Sequence, residues 1–258
     1  MDAQLLNKLS DFNSIDFMDL ELETIFTNRR DIKYVISIDR LESILESLVG
    51  HYDLLVRAEK GYAKYHTVYF DTDQFNLFQD HHRGKGNRNK IRVRTYEDGA
   101  RYLEVKRKNN SGLTFKDRVS IDPTGFQLSN YHSFIDASMD RSGMDFSEKL
   151  EVTYQRITFY SKQKTEKITL DIGLTYKVGD VLFPLNGLLL GESKGVDHAD
   201  SFFNNYMRSL RILPSSFSKY CFGVANLEPR VKSNNFKPLL RQVQKIVHLN
   251  AAGPIKAY

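Results

Sequence analysis

Three consecutive runs of the chain alternate charged with apolar residues, and this period of two constrains the fold more than any other feature. The runs are IRVRTY (91–96), RYLEVKRK (101–108) and LTFKDRVSI (113–121). A period of two puts successive side chains on opposite faces of a β-strand. The sequence therefore predicts three adjacent strands, each with one charged and one apolar face.

Two short connections that end in glycine join these strands and set their register. EDG (97–99) and NSG (110–112) each suit a three-residue hairpin loop with glycine in the left-handed region. A two-residue loop would instead place the basic face opposite an apolar one. The three-residue loops predict four pairs: Arg92 with Glu104, Arg94 with Tyr102, Lys106 with Lys116, and Glu104 with Arg118. Lys90 would then lie at the edge of the same charged face.

The charged face calls for an anionic partner. Residues 83–94, RGKGNRNKIRVR, contain six basic residues and no acid, and a buried cation without a partner is costly. A solvated basic face is the ordinary alternative for one charged strand. Because three adjacent strands share the pattern and their opposite faces are apolar, we expect the charged faces to line the inside of a barrel.

Five further segments read as strands, which makes about eight in all. They are RRDIKYVIS, YHTVYFDT, EVTYQRITFYS, EKITLDIGLTY and LLLGESK, the second followed by a helical turn begun at Asp73. Three amphipathic helices are also predicted, the first capped by Asp39, the second by Asp197, and the third within NFKPLLRQVQKIV. The expected fold is α+β, a closed antiparallel β-barrel with the helices packed outside. For the C-terminal helix, a position at one mouth of the barrel stays open as an alternative.

Length and composition fit one domain of this kind. We expect an N-terminal helical extension over residues 1–28 and the barrel domain, with its C-terminal helix, over residues 29–258. The single cysteine, Cys221, excludes an intrachain disulfide and a thiolate metal site, and is expected in the core. Without an apolar run long enough to span a bilayer and without a secretory signal, the expected location is cytoplasmic. The formal net charge of +5 is modest, but it is concentrated in one segment.

The order and spacing of several segments resemble a known family. RRDIKY, RNKIRVRTY, YLEVKRK, TFKDRV, YQRITF, ITLD, GESK and FSKY, from about residue 29 to residue 222, resemble the VTC domain, the polyphosphate polymerase branch of the triphosphate tunnel metalloenzymes of the CYTH-like superfamily. Without regulatory or transmembrane segments, the chain looks like the stand-alone bacterial form. The resemblance implies a triphosphate tunnel that transfers the γ-phosphate of ATP to a growing inorganic polyphosphate chain with Mn²⁺ or Mg²⁺. It implies no nucleic-acid partner, and any membrane coupling would need a separate protein.

The resemblance and the predicted charged face together give a set of candidate site residues. The catalytic candidates are Arg92, Arg94, Lys106 and Arg156; the phosphate-binding candidates are Lys33, Lys90, Lys116, Arg118, Lys167 and Lys219; the metal candidate is Glu192. Glu104 would either orient Arg92 and Arg118 by ion pairing, which we favour, or help to hold the metal. Asp171 would be either a second metal ligand or a turn residue at the end of a strand.

The sequence departs from the family pattern at three positions. Asp31 stands where glutamate is usual, Lys167 stands where arginine is common, and Ser216 stands where fungal members have a lysine. A lysine cannot form the two parallel hydrogen bonds that an arginine makes to phosphate, and the change at Ser216 bears on contacts with the product chain.

Two other functions compete with the polymerase. A tripolyphosphatase or nucleoside triphosphatase would use the same tunnel with water as the acceptor, but such relatives carry E-x-E-x-K, whereas residues 29–33 hold only Asp31 as an acid. A non-catalytic module that binds polyanions or RNA would need aromatic platforms on an open face. We therefore expect a phosphotransferase.

Overall fold

The computed structural model describes residues 3–16, 30–57, 60–122, 125–139, 143–195 and 201–249. The α-helices are α1 (Ala3–Leu9), α2 (Leu41–Leu48), α3 (Asn76–His82), α4 (His132–Ser138), α5 (Phe202–Ser209), α6 (Lys219–Leu227) and α7 (Lys237–Leu249). The strands are β1 (Ser14–Asp16), β2 (Arg30–Ser37), β3 (Tyr52–Val56), β4 (Ala63–Asp71), β5 (Arg88–Tyr96), β6 (Arg101–Lys108), β7 (Thr114–Ser120), β8 (Ser147–Ser161), β9 (Glu166–Val178), β10 (Val181–Pro184), β11 (Leu188–Gly195) and β12 (Pro214–Ser215). Short 3-10 helices span Ile38–Arg40, Leu128–Tyr131 and Asn234–Phe236.

All twelve strands join one sheet, which does not close into a barrel. Along its main path the order is β12-β2-β11-β9-β8-β4-β5-β6-β7, with β10 on β9, β3 on β8 and β1 on β3. The pairs are antiparallel except for β1 with β3. Within the described ranges, no pairing joins β12 or β2 to β7. The predicted closed barrel is therefore wrong: closure needs a continuous ladder between the two edges, and β12 offers only two residues, both already on β2.

The open sheet is nevertheless strongly curved. Six strand spacings separate β2 from β6 along the order, which would be roughly 30 Å in a flat sheet. Lys106 of β6 still interacts electrostatically with Asp31 and Lys33 of β2. The sheet therefore bends until its two ends face each other across a concave face, and the charged residues of the alternating strands lie on that face.

The predicted hairpin registers are confirmed. All four predicted pairs are found: Arg92 with Glu104, Arg94 with Tyr102, Lys106 with Lys116, and Glu104 with Arg118. Gly99 and Gly112 have φ angles of 83° and 81°, the left-handed conformation that a three-residue loop requires of its last residue.

The eight strands expected from the sequence are confirmed as β2, β4 to β9 and β11. The four that were not predicted, β1, β3, β10 and β12, have three, five, four and two residues. Segments this short hold too few alternations to show a period of two.

Helices cover both faces of the sheet rather than the outside alone. α2 and α5 pack on the convex face against Ile36, Ile157 and Leu189, as predicted. α7 lies instead on the concave face with α6, where Leu240 and Val243 share a core with Val35 and Leu190. An amphipathic stripe shows that one side of a helix is buried but not which face of a sheet it covers. Of the two positions left open for α7, the one outside is wrong.

Two of the predicted helix starts are also wrong, and a third is not described. Asp39 lies inside the 3-10 helix Ile38–Arg40 and does not cap α2. α3 begins at Asn76, after a left-handed Phe75, rather than at Asp73. Asp197 falls outside the described residues, and Ser201 caps α5 by accepting a hydrogen bond from the Asn204 backbone N–H.

The N-terminal part of the chain packs on the convex face. Leu9, the last residue of α1, and Phe12, which follows the helix, share a core with α2 and β8. Residues 17–29, which hold the predicted domain boundary, lie outside the described ranges, so that boundary stays a prediction. Cys221 is fully buried, as expected. None of the helices in the described ranges combines the length and apolar composition needed to cross a lipid bilayer.

Candidate functional site

Charged side chains from six strands and one helix meet on the part of the concave face that α6 and α7 leave uncovered. We call this group the basic cluster; its members are Lys33 (β2), Lys90, Arg92 and Arg94 (β5), Lys106 (β6), Lys116 and Arg118 (β7), Arg156 (β8), Lys194 (β11) and Lys219 (α6). Alternation within each strand and the pairing registers put the strand residues on one face. Three carboxylates are ion-paired within it, Glu104, Asp171 and Glu192, and the exposed Asp31 of β2 also interacts electrostatically with Lys33 and Lys106.

Glu104 is the centre of the β5–β6–β7 part of the cluster. Its side chain is only 1% exposed, and its Oε2 accepts a hydrogen bond from Arg92 Nε at 2.7 Å and lies 2.6 Å from Arg92 Nη2. Arg94 Nη1 is 3.9 Å and Lys116 Nζ 3.6 Å from the same carboxylate. Burial alone would raise the pKa of Glu104, but these cations lower it to about 2. The ion pair predicted between Glu104 and Arg92 is therefore present.

Asp171 joins strand β8 to helix α6. Its Oδ1 accepts a hydrogen bond from Arg156 Nε at 2.6 Å, its Oδ2 accepts one from Arg156 Nη2 at 2.7 Å, and Lys219 Nζ also donates to Oδ2. Burial opposes ionisation, yet the two cations lower the pKa of Asp171 to about 2. The residue lies within β9 and not at a strand end, so the turn assignment is wrong.

Glu192 is held between two lysines. Its Oε1 lies 2.8 Å from Lys33 Nζ and its Oε2 lies 2.9 Å from Lys194 Nζ. Despite its burial, these charges keep the pKa of Glu192 well below its usual range. Across the ladder from Glu192 is Thr169, whose buried Oγ1 has no hydrogen-bond partner within the described ranges.

The donors near Glu192 suit a metal that shares its ligands with a substrate. In the described residues, no group of three or more histidine, cysteine, aspartate or glutamate side chains could hold a metal alone. Mg²⁺ and Mn²⁺ need only one or two carboxylates when phosphate oxygens supply further ligands. Glu192 fits that requirement as a single carboxylate.

Four tyrosines form a row along the concave face, which we call the tyrosine row: Tyr102, Tyr96, Tyr65 and Tyr154. Successive ring centroids are 5.9, 5.2 and 5.2 Å apart. Cations of the basic cluster lie over these rings, with Arg156 5.3 Å from Tyr65 and 5.4 Å from Tyr154. Cation–π contacts of this kind restrict a guanidinium group without using its hydrogen-bond donors.

Two lysines of the cluster have no carboxylate partner within 4 Å among the described residues. Lys106 is half-buried, and burial near other cations lowers its pKa to about 8. Lys90 donates to Ser218 Oγ at 2.9 Å, and burial lowers its pKa too. Ser218 is the N-cap of α6, so Lys90 lies at the positive end of that helix. Both ammonium groups suit an added anion.

Most of the predicted site residues are therefore brought together. Lys33, Lys90, Arg92, Arg94, Lys106, Lys116, Arg118, Arg156, Lys219 and Glu192 all lie in or beside the basic cluster. Lys167 shares the concave face but lies toward one end of β9, opposite Lys194, with its ammonium 5.1 Å from the Tyr160 ring.

The sequence reasoning missed several residues that shape the site. Tyr65 and Tyr154 make cation–π contacts with its arginines, and Ser218 accepts a hydrogen bond from Lys90. The spacing of Tyr154 and Arg156, two residues apart on one strand, was a signal that both side chains share a face. The contacts of Tyr65 could not be read because they depend on the order of the strands.

A separate cavity of about 900 Å³ lies between α1, α2 and the ends of β4, β5 and β8. Its walls include Leu5 and His66 together with Tyr65, Tyr96 and Tyr154 of the tyrosine row, and none of the predicted site residues. The cavity therefore adjoins the basic cluster at the tyrosine row, although none of the cations of the cluster lines it.

Comparisons with known proteins give one family and distant structural neighbours. The family model of the VTC domain matches residues 28–228. A search of curated proteins finds no match. Among solved structures, HpAC1 from Hippeastrum, a candidate adenylyl cyclase described as having a dominant triphosphatase activity, is 14% identical with a TM-score of 0.45, over 74% of this chain and 93% of that one. The inorganic triphosphatase NE1496 is 11% identical with a TM-score of 0.27, over 66% of this chain and 77% of that one.

These TM-scores are too low to support an argument from structure. The match to the family model covers most of the chain, from before β2 to the end of α6, and includes every strand residue of the basic cluster. The chain belongs to the VTC domain family.

Proposed function

We propose that the protein is a metal-dependent polyphosphate polymerase, which transfers the γ-phosphate of ATP to the end of a growing inorganic polyphosphate chain on the concave face. The observation that carries this proposal is the charge of the basic cluster. Ten cations lie with four carboxylates, Asp31, Glu104, Asp171 and Glu192, and the last three are already ion-paired. Triphosphate and polyphosphate are the linear polyanions that such an excess of positive charge suits.

The transfer itself needs no nucleophilic side chain. A terminal oxygen of the polyphosphate acceptor attacks the γ-phosphorus in line, a new P–O bond forms, and the bond from the γ-phosphorus to the bridging oxygen of the β-phosphate breaks, so that ADP leaves. The barrier is lowered by positioning and by neutralising the phosphoryl oxygens. We assign this role to Arg92, Arg94, Lys106 and Arg156.

The other basic residues would hold the rest of the polyanion. Lys33, Lys90, Lys116, Arg118 and Lys219 surround the proposed catalytic residues, and we assign them to phosphate binding, with Lys167 farther along the same face. Arg94 Nε is buried and has no hydrogen-bond acceptor within the described ranges. A phosphate oxygen would satisfy this donor.

Mn²⁺ or Mg²⁺ would be held by Glu192 together with phosphate oxygens, and when bound it neutralises charge on the phosphates. Lys33 and Lys194, which contact both oxygens of Glu192, would keep that carboxylate ionised and in place.

Transfer to phosphate is favoured over hydrolysis because the three ion-paired carboxylates of the basic cluster are poor bases. Activating water calls for a carboxylate or imidazole that can accept a proton. Cations keep the pKa values of Glu104, Asp171 and Glu192 low, which makes each of them a poor base. The terminal oxygen of a polyphosphate is already an anion and needs no such help.

Incubation with ATP and Mn²⁺ tests the proposal, with ADP, free phosphate and long-chain polyphosphate measured together. The polymerase predicts ADP and polyphosphate with little free phosphate. Equal amounts of ADP and free phosphate without polymer would identify a triphosphatase instead. If ATP is not turned over, a site that only binds polyanions is the better explanation.

A further inference from the structure

We propose that Asp171 is a positioning residue, which holds Arg156 and Lys219 at a fixed spacing for the transferred phosphate without contacting substrate or metal. This inference rests on the proposed function, because it assigns a role within that site. It replaces both roles that the sequence left open for Asp171, the metal ligand and the turn residue.

Each oxygen of Glu192 contacts one lysine, whereas the two oxygens of Asp171 accept three hydrogen bonds, which leaves Asp171 less capacity for a further ligand. Both oxygens accept hydrogen bonds from Arg156, at 2.6 and 2.7 Å, and Oδ2 also accepts one from Lys219. The residue is 3% exposed. A metal or a phosphate at this carboxylate would have to displace two buried cations, which is costly in a poorly solvated place.

The two cations belong to separate layers of the fold. Arg156 is on strand β8, and Lys219 is the first residue of α6, which packs on the concave face of the sheet. Since no covalent geometry fixes their distance, a shared anion between them sets it. Asp171 is that anion.

Each cation is also restrained on a second side by the tyrosine row. Arg156 lies over Tyr65 and Tyr154, and Lys219 lies 4.4 Å from the Tyr154 ring centroid. Asp171 occupies Nε and Nη2 of Arg156 but not Nη1. Nη1 and the remaining hydrogens of the Lys219 ammonium are thus donors that a phosphate oxygen can use.

Asp171→Asn tests the role, because it keeps the shape of the side chain and removes the charge. We expect kcat/KM for ATP to fall about 100-fold, as it does when reacting groups are misplaced by about an ångström. Glu166→Gln is the matched control. Glu166 is an equally buried carboxylate on the same strand, but it binds Tyr52, Ser193 and Ser201 at the α5 junction. The Glu166→Gln substitution should lower the melting temperature, while kcat/KM stays within about twofold of the wild-type value.

A double-mutant cycle separates positioning from general damage. If Asp171 acts in part through Lys219, then Asp171→Asn and Lys219→Met should be non-additive, so that the double variant loses less kcat/KM than the product of the two single losses. The double variant also removes Lys219, whose charge Asp171→Asn leaves uncompensated. It can therefore be measured even if the single variant Asp171→Asn does not fold.

Three results would overturn the inference: Asp171→Asn with kcat/KM within about twofold of the wild type, additive losses in the cycle, or a loss in Glu166→Gln as large as that in Asp171→Asn. If the wild-type protein does not turn over ATP, the proposed function fails. In that case the dissociation constant of inorganic tripolyphosphate is measured by titration calorimetry for the four proteins of the same cycle. Non-additive effects on that constant support the positioning role, and additive effects overturn it.

Discussion

Arg92 and Arg94 look equivalent in the sequence, two residues apart on one strand, but they have different surroundings. Arg92 forms the short ion pair with Glu104, whereas Arg94 donates to Tyr154 Oη at 3.2 Å and lies over the Tyr65 ring. Removing Arg92 would leave a buried carboxylate with only distant cations. Removing Arg94 leaves that carboxylate with its main partner.

We therefore expect Arg92→Ala and Arg94→Ala to have similar effects on activity and different effects on stability. Each should lower kcat/KM for ATP by about 100-fold or more, because each removes a donor that neutralises phosphate charge. Arg92→Ala should lower the free energy of unfolding by about 3 kcal/mol, and Arg94→Ala by about 1 kcal/mol or less. Urea unfolding and steady-state kinetics measure the two quantities. Equal losses of stability would show that Glu104 does not depend on Arg92.

The pKa of Lys106 gives a pH dependence that can be measured. Burial and neighbouring cations lower this pKa from 10.5 to about 8 in the folded protein. Below about pH 8 the buried lysine is charged in the folded state, which lowers the free energy of unfolding. This destabilisation disappears as the pH rises to 10.5, where the lysine is neutral in the folded state. Lys106→Met should raise the melting temperature at pH 7, by the equivalent of about 1–3 kcal/mol, and this gain should shrink above pH 8.

Tripolyphosphate binding should show the reverse effect, since a bound polyanion favours the charged lysine. The affinity of the wild-type protein should fall as the pH rises through about 8, and this part of the fall should be missing in Lys106→Met. Lys162→Met, at an exposed lysine in the turn between β8 and β9, is the control and should behave like the wild type. A pH profile that is the same in all three proteins would contradict the assignment of Lys106 to the site.

At the level of elements, helix α6 connects the core of the molecule to the site. Its first residue is Lys219, and its N-cap Ser218 accepts the hydrogen bond from Lys90. Farther along, Tyr220 donates to the buried Asp71 carboxylate, which also accepts from the N-terminal backbone of α3. The packing of α6 against the sheet thus decides where two cations of the basic cluster lie.

At Gly223, helix α6 lies too close to the sheet to leave room for a side chain. A Cβ added there would lie 2.4 Å from Leu150 Cδ2 and 2.8 Å from Tyr176 Cε1. Although alanine favours a helix, Gly223→Ala should destabilise the protein by about 1–3 kcal/mol, the range found for overpacked cores. Gly125→Ala is the control, because a Cβ at Gly125 has no atom within 4 Å. Equal unfolding midpoints for the two variants would mean that α6 can move away without cost.

The elements also show what the sequence can and cannot reveal. Strand identity and hairpin register were predictable, because alternation and the two loop glycines are local signals. β12 was not, since two residues contain no period. The side of the sheet covered by α7 was not predictable either, because a helical stripe such as Leu240 and Val243 has the same pattern on either face.

At the level of the whole molecule, the closed barrel was the main error. Alternation shows which side chains share a face, but closure depends on strand number, tilt and the pairing of the two edges. The curvature still brings Lys106 near Lys33, so these two predicted site residues lie together although the sheet is open. The contacts of Asp171 could not be predicted from the sequence, because they depend on both the β8–β9 register and the position of α6.

The concentration of cations on the concave face predicts strong stabilisation by a matching polyanion. Tripolyphosphate at about 100 times its dissociation constant should raise the free energy of unfolding by about 2.7 kcal/mol. For a chain of this length that corresponds to a rise in melting temperature of about 5–10 °C. The shift should weaken as NaCl is added, because salt screens these charges.

Thermal unfolding in tripolyphosphate, in inorganic phosphate and in NaCl of the same ionic strength provides the measurement. Tripolyphosphate should give the largest shift, and a variant that lacks Arg92 and Arg156 should lose most of it. Identical shifts in all three salts would mean that the cations act as separate surface charges and not as one site.

The tyrosine row also gives the protein a built-in optical signal. The chain contains 14 tyrosines and no tryptophan, so its near-ultraviolet absorption and intrinsic emission are dominated by tyrosine. Four of these rings contact one another in sequence, two pairs edge to face and one pair stacked, beside the cations of the site. A ligand that shifts Arg94, Arg156 or Lys219 therefore changes the electric field at those rings, and its arrival can be followed by circular dichroism on the native, unlabelled chain.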